Sequence, residues 1–97
     1  MPLTTPFPYI VCFDLKEQPI RYGLFFDELK RSERWCHYLT STWLVFRYEA
    51  LVEFSPKLRR LIFTNDRLLI MPAKGPADGW LPNEAWDWIN AQLPKEW

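Results

Sequence analysis

Five polar residues that could bind a metal ion or a phosphate stand at the ends of apolar runs in the sequence. They are Asp14, Ser41, Thr42, Asp66 and Arg67. A carboxylate such as that of Asp14 can ligate a divalent cation or act as a base, while hydroxyls and a guanidinium can bind phosphate. The same residue types also have structural uses, because aspartates cap helices and turns, and hydroxyls satisfy backbone groups at strand bends. The residues alone leave both interpretations open.

The remaining reactive side chains indicate no mechanism. The chain has one histidine, His37, and two cysteines, Cys12 and Cys36. A zinc site needs about four closely spaced ligands, and a catalytic histidine needs partner residues that this sequence does not place near it. We expect His37 to be an ordinary residue of a strand. Both cysteines lie in apolar runs, so we expect them to be free thiols in a reducing compartment.

Composition restricts the classes of function. A chain of 97 residues suits one domain. Its formal net charge is zero, which argues against a protein that binds nucleic acid by broad neutralisation of the backbone. The basic residues Lys57, Arg59 and Arg60 fit either an exposed helix face or a local nucleic-acid contact. Aromatic residues make up 18% of the chain, an excess that favours contact with a partner or a second copy. No apolar run is long enough to cross a membrane, and we expect a cytoplasmic protein.

The hydrophobic pattern predicts the elements that position these residues. A β-branched and aromatic run, Tyr9 to Leu15, indicates a central strand buried on both faces. Tyr22, Phe25, Phe26 and Leu29 recur at helical spacing. The predicted elements are strand 9–15, helix 19–32, strands 35–40 and 42–47, a helix within 49–62, strand 67–71, a loop at 72–79 and a helix with Pro82 at its first position. Pro56 either kinks the second helix or restarts it with Ser55 as the N-cap.

This order predicts an α+β domain with a ferredoxin-like βαββαβ core, an antiparallel four-stranded sheet and an extra C-terminal helix. We divide the chain into a flexible arm at 1–8, the core at 9–72, and a loop with a Trp-rich helix at 73–97. We expect this helix to dock on the core through Trp88 and Ile89, because a helix of about a dozen residues is marginal alone. The predicted sheet order, 4-1-3-2, would bring the five polar residues to one end of the sheet.

Four motifs resemble a known family. YIVCFDL, HYLTSTWL, NDRLLI and GWLPNEAWDWIN, within residues 9–93, resemble small bacterial proteins labelled SinR-like, a label that carries no established mechanism. That core is in turn similar to the small CRISPR-associated adaptation proteins and to VapD-type ribonucleases. The resemblance implies a ferredoxin-like homodimer with an aspartate ending the first strand. Where nuclease activity is claimed in that group, this aspartate is the metal ligand, one from each subunit, and it corresponds to Asp14.

The chain also departs from that group. Residues 15–19 read LKEQP, where the relatives usually have a run of Asp and Arg, and the net charge is zero. A Trp-rich helix stands where those relatives often have a short strand that swaps onto the partner. The resemblance therefore implies the dimeric fold more directly than the nuclease chemistry.

Two functions follow as hypotheses. The first is a small homodimeric protein associated with nucleic acid or nucleotides, related to metal-dependent nucleases of mobile-element defence, with a divalent metal such as magnesium on Asp14. The second is a non-catalytic dimeric adaptor that binds another protein through an aromatic surface. The surroundings of Asp14 discriminate between them. Two Asp14 carboxylates facing one cleft favour the first, and an Asp14 that caps a helix favours the second.

Overall fold

The sheet of this protein has four antiparallel strands in the ferredoxin-like order predicted from the sequence: in sheet order they are Arg34–Leu39, Thr42–Arg47, Phe7–Asp14 and Arg67–Pro72. The computed structural model describes residues 4–74 and 77–92; residues 1–3 of the expected arm and 93–97 of the expected C-terminal segment lie outside that range. The strands are β1 (Phe7–Asp14), β2 (Arg34–Leu39), β3 (Thr42–Arg47) and β4 (Arg67–Pro72). The helices are a 3-10 helix (Pro19–Tyr22), α1 (Gly23–Lys30), α2 (Leu51–Arg59) and α3 (Asn83–Gln92).

Strand β1 is central and pairs with both β3 and β4. Val11 lies opposite Trp43 on one side and opposite Ile70 on the other. Because successive side chains of a strand point to opposite faces, β1 divides its residues between two surfaces. We call the surface that carries Val11 the helix face, and the surface that carries Ile10 and Cys12 the outer face.

The main core lies between the helix face of the sheet and the 3-10 helix, α1 and α2. Nine buried side chains form it: Tyr9, Val11, Tyr22, Phe25, Leu29, Trp43, Val45, Phe54 and Leu58. The strand residues alternate along β1 and β3, and the helix residues follow the apolar stripe seen in the sequence. Burying each large apolar side chain contributes about 1.5–3 kcal/mol, so this layer supplies most of the stability of so small a sheet.

The first two helices differ from the predictions. Pro19–Tyr22 forms a 3-10 helix and the α-helix begins only at Gly23, because Tyr22 leaves helical geometry at φ −109° and ψ 16°. Of the two alternatives for the second helix, a kink at Pro56 or a restart with Ser55 as the N-cap, the restart is excluded. Helix α2 is continuous from Leu51, and Pro56 lies inside it. The carbonyl left without a donor by Pro56 belongs to Val52, on an exposed part of the helix, where water can satisfy it.

A buried arginine connects β3 to both helices. Arg47 Nη2 lies 2.8 Å from Glu28 Oε2 and 2.5 Å from Glu49 Oε1, and its guanidinium stands 4.4 Å from the centroid of the Phe54 ring. Lys57 forms a second ion pair with Glu49. Burial alone would raise the pKa of Glu49, but the hydrogen bonds from Lys57 and Arg47 outweigh it and the pKa is lowered. The charge cluster is thus compensated within the fold.

Helix α3 covers part of the outer face. Ala85 is fully buried, and the Trp88 ring meets the Phe46 ring edge-on at a centroid distance of 6.1 Å. Ile89 lines a shallow apolar groove of about 170 Å³ between this segment and the sheet. The carbonyl of Pro82 accepts the amides of Ala85 and Trp86, which makes Pro82 the N-cap and not the first helical residue as predicted.

Both cysteines are free, as expected from the sequence. Burial raises the pKa of the Cys36 thiol to about 11, so this thiol stays protonated and unreactive near neutral pH.

In the described part of the chain, no helix has the length and apolar character needed to span a membrane.

The packing of α3 gives a stability test. We expect Trp88→Ala to destabilise the fold by about 2 kcal/mol, less than a fully buried tryptophan would, because Trp88 is half-buried against Phe46. The matched control is Trp80→Ala, since Trp80 is 98% exposed and should change stability by less than about 0.5 kcal/mol. Thermal unfolding followed by circular dichroism measures both. Equal midpoints for the two variants would contradict the docking of α3.

Candidate functional site

The strand register collects polar residues at one end of the sheet. Asp14, the last residue of β1, lies opposite Arg67, the first residue of β4. Thr42, the first residue of β3, lies opposite Cys12, and the Ser41 carbonyl accepts the Phe13 amide at 3.0 Å. We call this region, with Asp66 beside Arg67 in the chain, the polar end. Antiparallel pairing is the cause, because β1 must end where its two neighbours begin.

Asp66 is committed to the fold. Its side chain is buried on the helix face, with the residue 6% exposed. Its carboxylate accepts hydrogen bonds from the Lys16 amide and the Phe63 amide, both at 2.8 Å, and from the Tyr22 hydroxyl at 2.9 Å. These donors come from the loop after β1, the 3-10 helix and the turn before β4. The arrangement fits the structural interpretation of Asp66 and leaves its carboxylate little capacity for a ligand.

The hydrogen bonds also fix the charge state of Asp66. Burial alone would raise its pKa, but the amides of Lys16 and Phe63 and the Tyr22 hydroxyl outweigh this effect and the pKa is lowered. Three donors directed at one carboxylate favour its ionised form. Asp66 therefore stays charged through the pH range in which most carboxylates begin to protonate.

Asp14 has the opposite environment. Its side chain is 63% exposed, and its one ion pair among the described residues is with Lys16 Nζ at 2.8 Å. It does not cap the following helix, whose N-cap is Gln18. An exposed ion pair of this kind contributes little to stability, so the carboxylate can exchange Lys16 for a ligand at small cost. Arg67 stands across from it, with Nη1 donating to the Asp66 carbonyl at 3.1 Å.

The two hydroxyl residues differ in accessibility. Ser41 is exposed at the turn between β2 and β3, whereas Thr42 is half-buried and its hydroxyl lies 3.8 Å from Cys12 Sγ. Ser41 is thus free to meet a ligand at the polar end, and Thr42 mainly contacts its own sheet.

A single chain does not form a complete metal site at this end. Within residues 4–74 and 77–92, no three histidine, cysteine, aspartate or glutamate side chains come together in a way that could hold a metal ion. Asp14 supplies one carboxylate, and the Lys16 ammonium already neutralises it. Magnesium usually takes one or two protein carboxylates and completes its shell with water and phosphate oxygens.

An aromatic stack lies at the same end of the sheet, and the sequence reasoning did not identify it. The His37 and Trp43 rings are nearly parallel, with centroids 4.3 Å apart and an angle of 10° between their planes. Trp35 stacks beside both rings, 5.0 Å from Trp43 and 5.7 Å from His37. The signal was the alternation of Trp35 and His37 on one strand, which puts both side chains on one face.

This stack borders an open groove on the helix face, which we call the aromatic groove. Its lining residues are Phe26, Lys30, His37, Tyr38, Leu39, Thr40 and Trp43. Strand β2 ends at Leu39 and the chain turns at Thr40 and Ser41, so the groove adjoins the polar end. Aromatic rings, a cationic side chain and hydroxyl groups therefore meet within one region.

Comparison with known proteins supports the fold alone. The sequence matches no protein-family model and no curated protein. Among solved structures, the chain is similar to a hypothetical protein from Thermus thermophilus, with 27% identity over 79% of this chain and 95% of that one and a TM-score of 0.57. The name of that protein states no activity, so the similarity indicates no function for this chain.

The Asp66 hydrogen bonds give a test against pH. The folded state lowers the pKa of Asp66, so its contribution to stability is fully present above the ordinary value of 3.8 and is lost as the pH falls through the folded value. We expect Asp66→Asn to lower the melting temperature by several degrees near neutral pH. The difference from the parent should shrink on acidification below that ordinary value.

The control for this test is Asp14→Asn, the same substitution at the exposed aspartate of the same sheet end. It should leave the melting temperature nearly unchanged, because the lost ion pair is exposed. Melting curves recorded across the acidic range measure both variants. A deficit for Asp66→Asn that stays constant with pH would contradict the assigned role of the carboxylate.

Proposed function

We propose that this chain is a homodimeric protein associated with nucleic acid or nucleotides, and that its polar end contacts phosphate. The observation that carries the proposal is the contrast between the two aspartates. Asp66 is used up by internal hydrogen bonds, whereas Asp14 is exposed at the end of the central strand, beside Arg67 and near Ser41. Arg67 and the exposed Ser41 hydroxyl supply the donors that a phosphate group requires.

The nuclease part of the proposal depends on dimerisation. In one chain Asp14 is paired with Lys16, and the described residues hold no group of three possible metal ligands. The resemblance to CRISPR-associated adaptation proteins implies a dimer in which two Asp14 carboxylates face one cleft. The link to mobile-element defence rests on the same resemblance.

An apolar patch on the outer face supports dimerisation. Ile10 and Met71 lie opposite each other on β1 and β4, and Leu69 lies diagonally next to Ile10. Leu69 and Met71 are 55% and 52% exposed, on a strand whose second edge pairs with no strand in the described residues. Exposed apolar side chains along an open sheet edge favour association with another chain.

The dimer is tested by sedimentation. We expect a mass of about twice the 11.7 kDa chain at micromolar concentration. Leu69→Lys should shift the protein toward the monomer, because it puts a charge into the apolar patch. The control Val52→Lys changes an equally apolar but 79% exposed residue of α2 and should leave the dimer intact. A parent protein that sediments as a monomer would contradict the proposal.

The second candidate function is a non-catalytic dimeric adaptor. Trp80 is almost completely exposed in the loop before α3, and exposed tryptophans are frequent anchors of protein interfaces. The zero net charge and the Lys16 ion pair on Asp14 also favour this alternative. An adaptor of this kind would need no chemistry from the polar end.

Oligonucleotide binding and cleavage separate the two candidates. We expect the parent to bind a labelled single-stranded oligonucleotide, and Arg67→Ala to weaken this binding about five- to tenfold through the loss of a charged phosphate contact. If the dimer cleaves the oligonucleotide when magnesium is added, Asp14→Asn should abolish cleavage and keep binding. Lys74→Ala, at an exposed lysine outside the polar end, is the matched control. A parent that neither binds nor cleaves leaves the adaptor as the remaining candidate.

A further inference from the structure

A continuous set of aromatic contacts connects the buried core to the exposed aromatic groove. Phe13 contacts Phe25 and Phe26 of α1 edge-on, with centroids 5.3 and 5.8 Å away. Phe26 then lies 5.9 Å from Trp43, which is 3% exposed and stacks under His37. The His37 ring is therefore held in one orientation by a rigid layer beneath it, although the residue itself is exposed.

A supported aromatic ring at a surface is suited to bind a flat ligand by stacking. The ring is already oriented, so a ligand that stacks on it orders few protein groups and the entropic cost of binding is small. Nucleobases stack on aromatic side chains in this way without requiring specific hydrogen bonds. An aliphatic ligand would gain less from the groove, because the polar groups of Lys30, His37 and Thr40 interrupt its apolar lining.

The charge in the groove indicates what the flat ligand carries. Lys30 lines the groove and forms no ion pair with any residue of the described chain. Thr40 adds a hydroxyl at the turn that leads to the polar end. The His37 ring suits a base, and the Lys30 ammonium and the Thr40 hydroxyl beside it suit a phosphate attached to that base.

We propose that the aromatic groove binds a nucleobase stacked on His37, with Lys30 holding the attached phosphate. The inference rests on the proposed association with nucleic acid or nucleotides and assigns the base to a separate place from the phosphate contacts of Ser41 and Arg67. The groove and the polar end are adjacent, so one nucleotide could occupy the groove while its strand continues across the end of the sheet.

The single histidine makes the test direct, because its ring protons give one unambiguous set of nuclear magnetic resonance signals. The protein is titrated in turn with adenosine, adenosine 5′-monophosphate and a short oligoadenylate. A base stacked on His37 should shift these signals upfield and saturably. Binding of the monophosphate indicates a free nucleotide as ligand, and binding of the oligoadenylate alone indicates single-stranded nucleic acid. Either result supports the binding of a base in the aromatic groove.

Variants assign the two contacts. His37→Ala should weaken binding about tenfold, the effect typical of losing one base–aromatic stack, and His37→Phe should restore most of it. Lys30→Ala should weaken binding of the monophosphate and leave that of adenosine unchanged, while Lys74→Ala affects neither. Circular dichroism confirms that each variant is folded.

Two results would overturn the inference. If the labelled oligonucleotide binds but the His37 signals do not move and His37→Ala binds like the parent, the base lies elsewhere and the proposed nucleic-acid association survives. If none of the three ligands and no oligonucleotide binds, the proposed function fails together with the groove.

Discussion

The carboxylate of Asp66 is the constraint on which the polar end of the sheet depends. It fastens three segments together: the loop after β1 through the Lys16 amide, the 3-10 helix through the Tyr22 hydroxyl, and the turn before β4 through the Phe63 amide. Because these bonds lower its pKa, the carboxylate remains ionised and its hydrogen bonds remain strong. The exposed Asp14 stands two residues before Lys16, so its position also depends on this anchor.

The aromatic excess of the chain is distributed over both faces of the sheet and serves more than one purpose. On the helix face, most rings belong to the core, and the layer reaches the surface at His37 on β2 and at Phe7, which contacts Tyr9 on β1. On the outer face, Trp88 docks α3 against Phe46, while Trp80 remains exposed in the loop. The composition alone could not separate a core ring from a surface ring, because burial depends on which strand edge and which face each residue occupies.

The two aspartates show why charge context decides a candidate role. Both stand next to a strand end and both were predicted as ligands or caps. Buried Asp66 has several backbone and side-chain donors, whereas Asp14 has one exposed lysine. A carboxylate surrounded by internal donors stabilises the fold, and one that faces solvent can exchange its partner for a ligand.

The sequence by itself indicated the element order and the central position of β1 through its hydrophobic pattern, and the sheet order and the gathering of polar residues at one end followed from the ferredoxin-like fold that this element order matches. It mislocated the start of the α-helix after Pro19, because Pro19–Tyr22 forms a 3-10 helix, and it left open whether Pro56 kinks or restarts the second helix, which the structure shows to be continuous. The tertiary structure alone decided which aspartate is buried, that Trp35, His37 and Trp43 form one stack, and that Lys30 reaches the same groove. These features arise from contacts between segments distant in the chain, and their distances and burial exist only once the sheet and helices have packed.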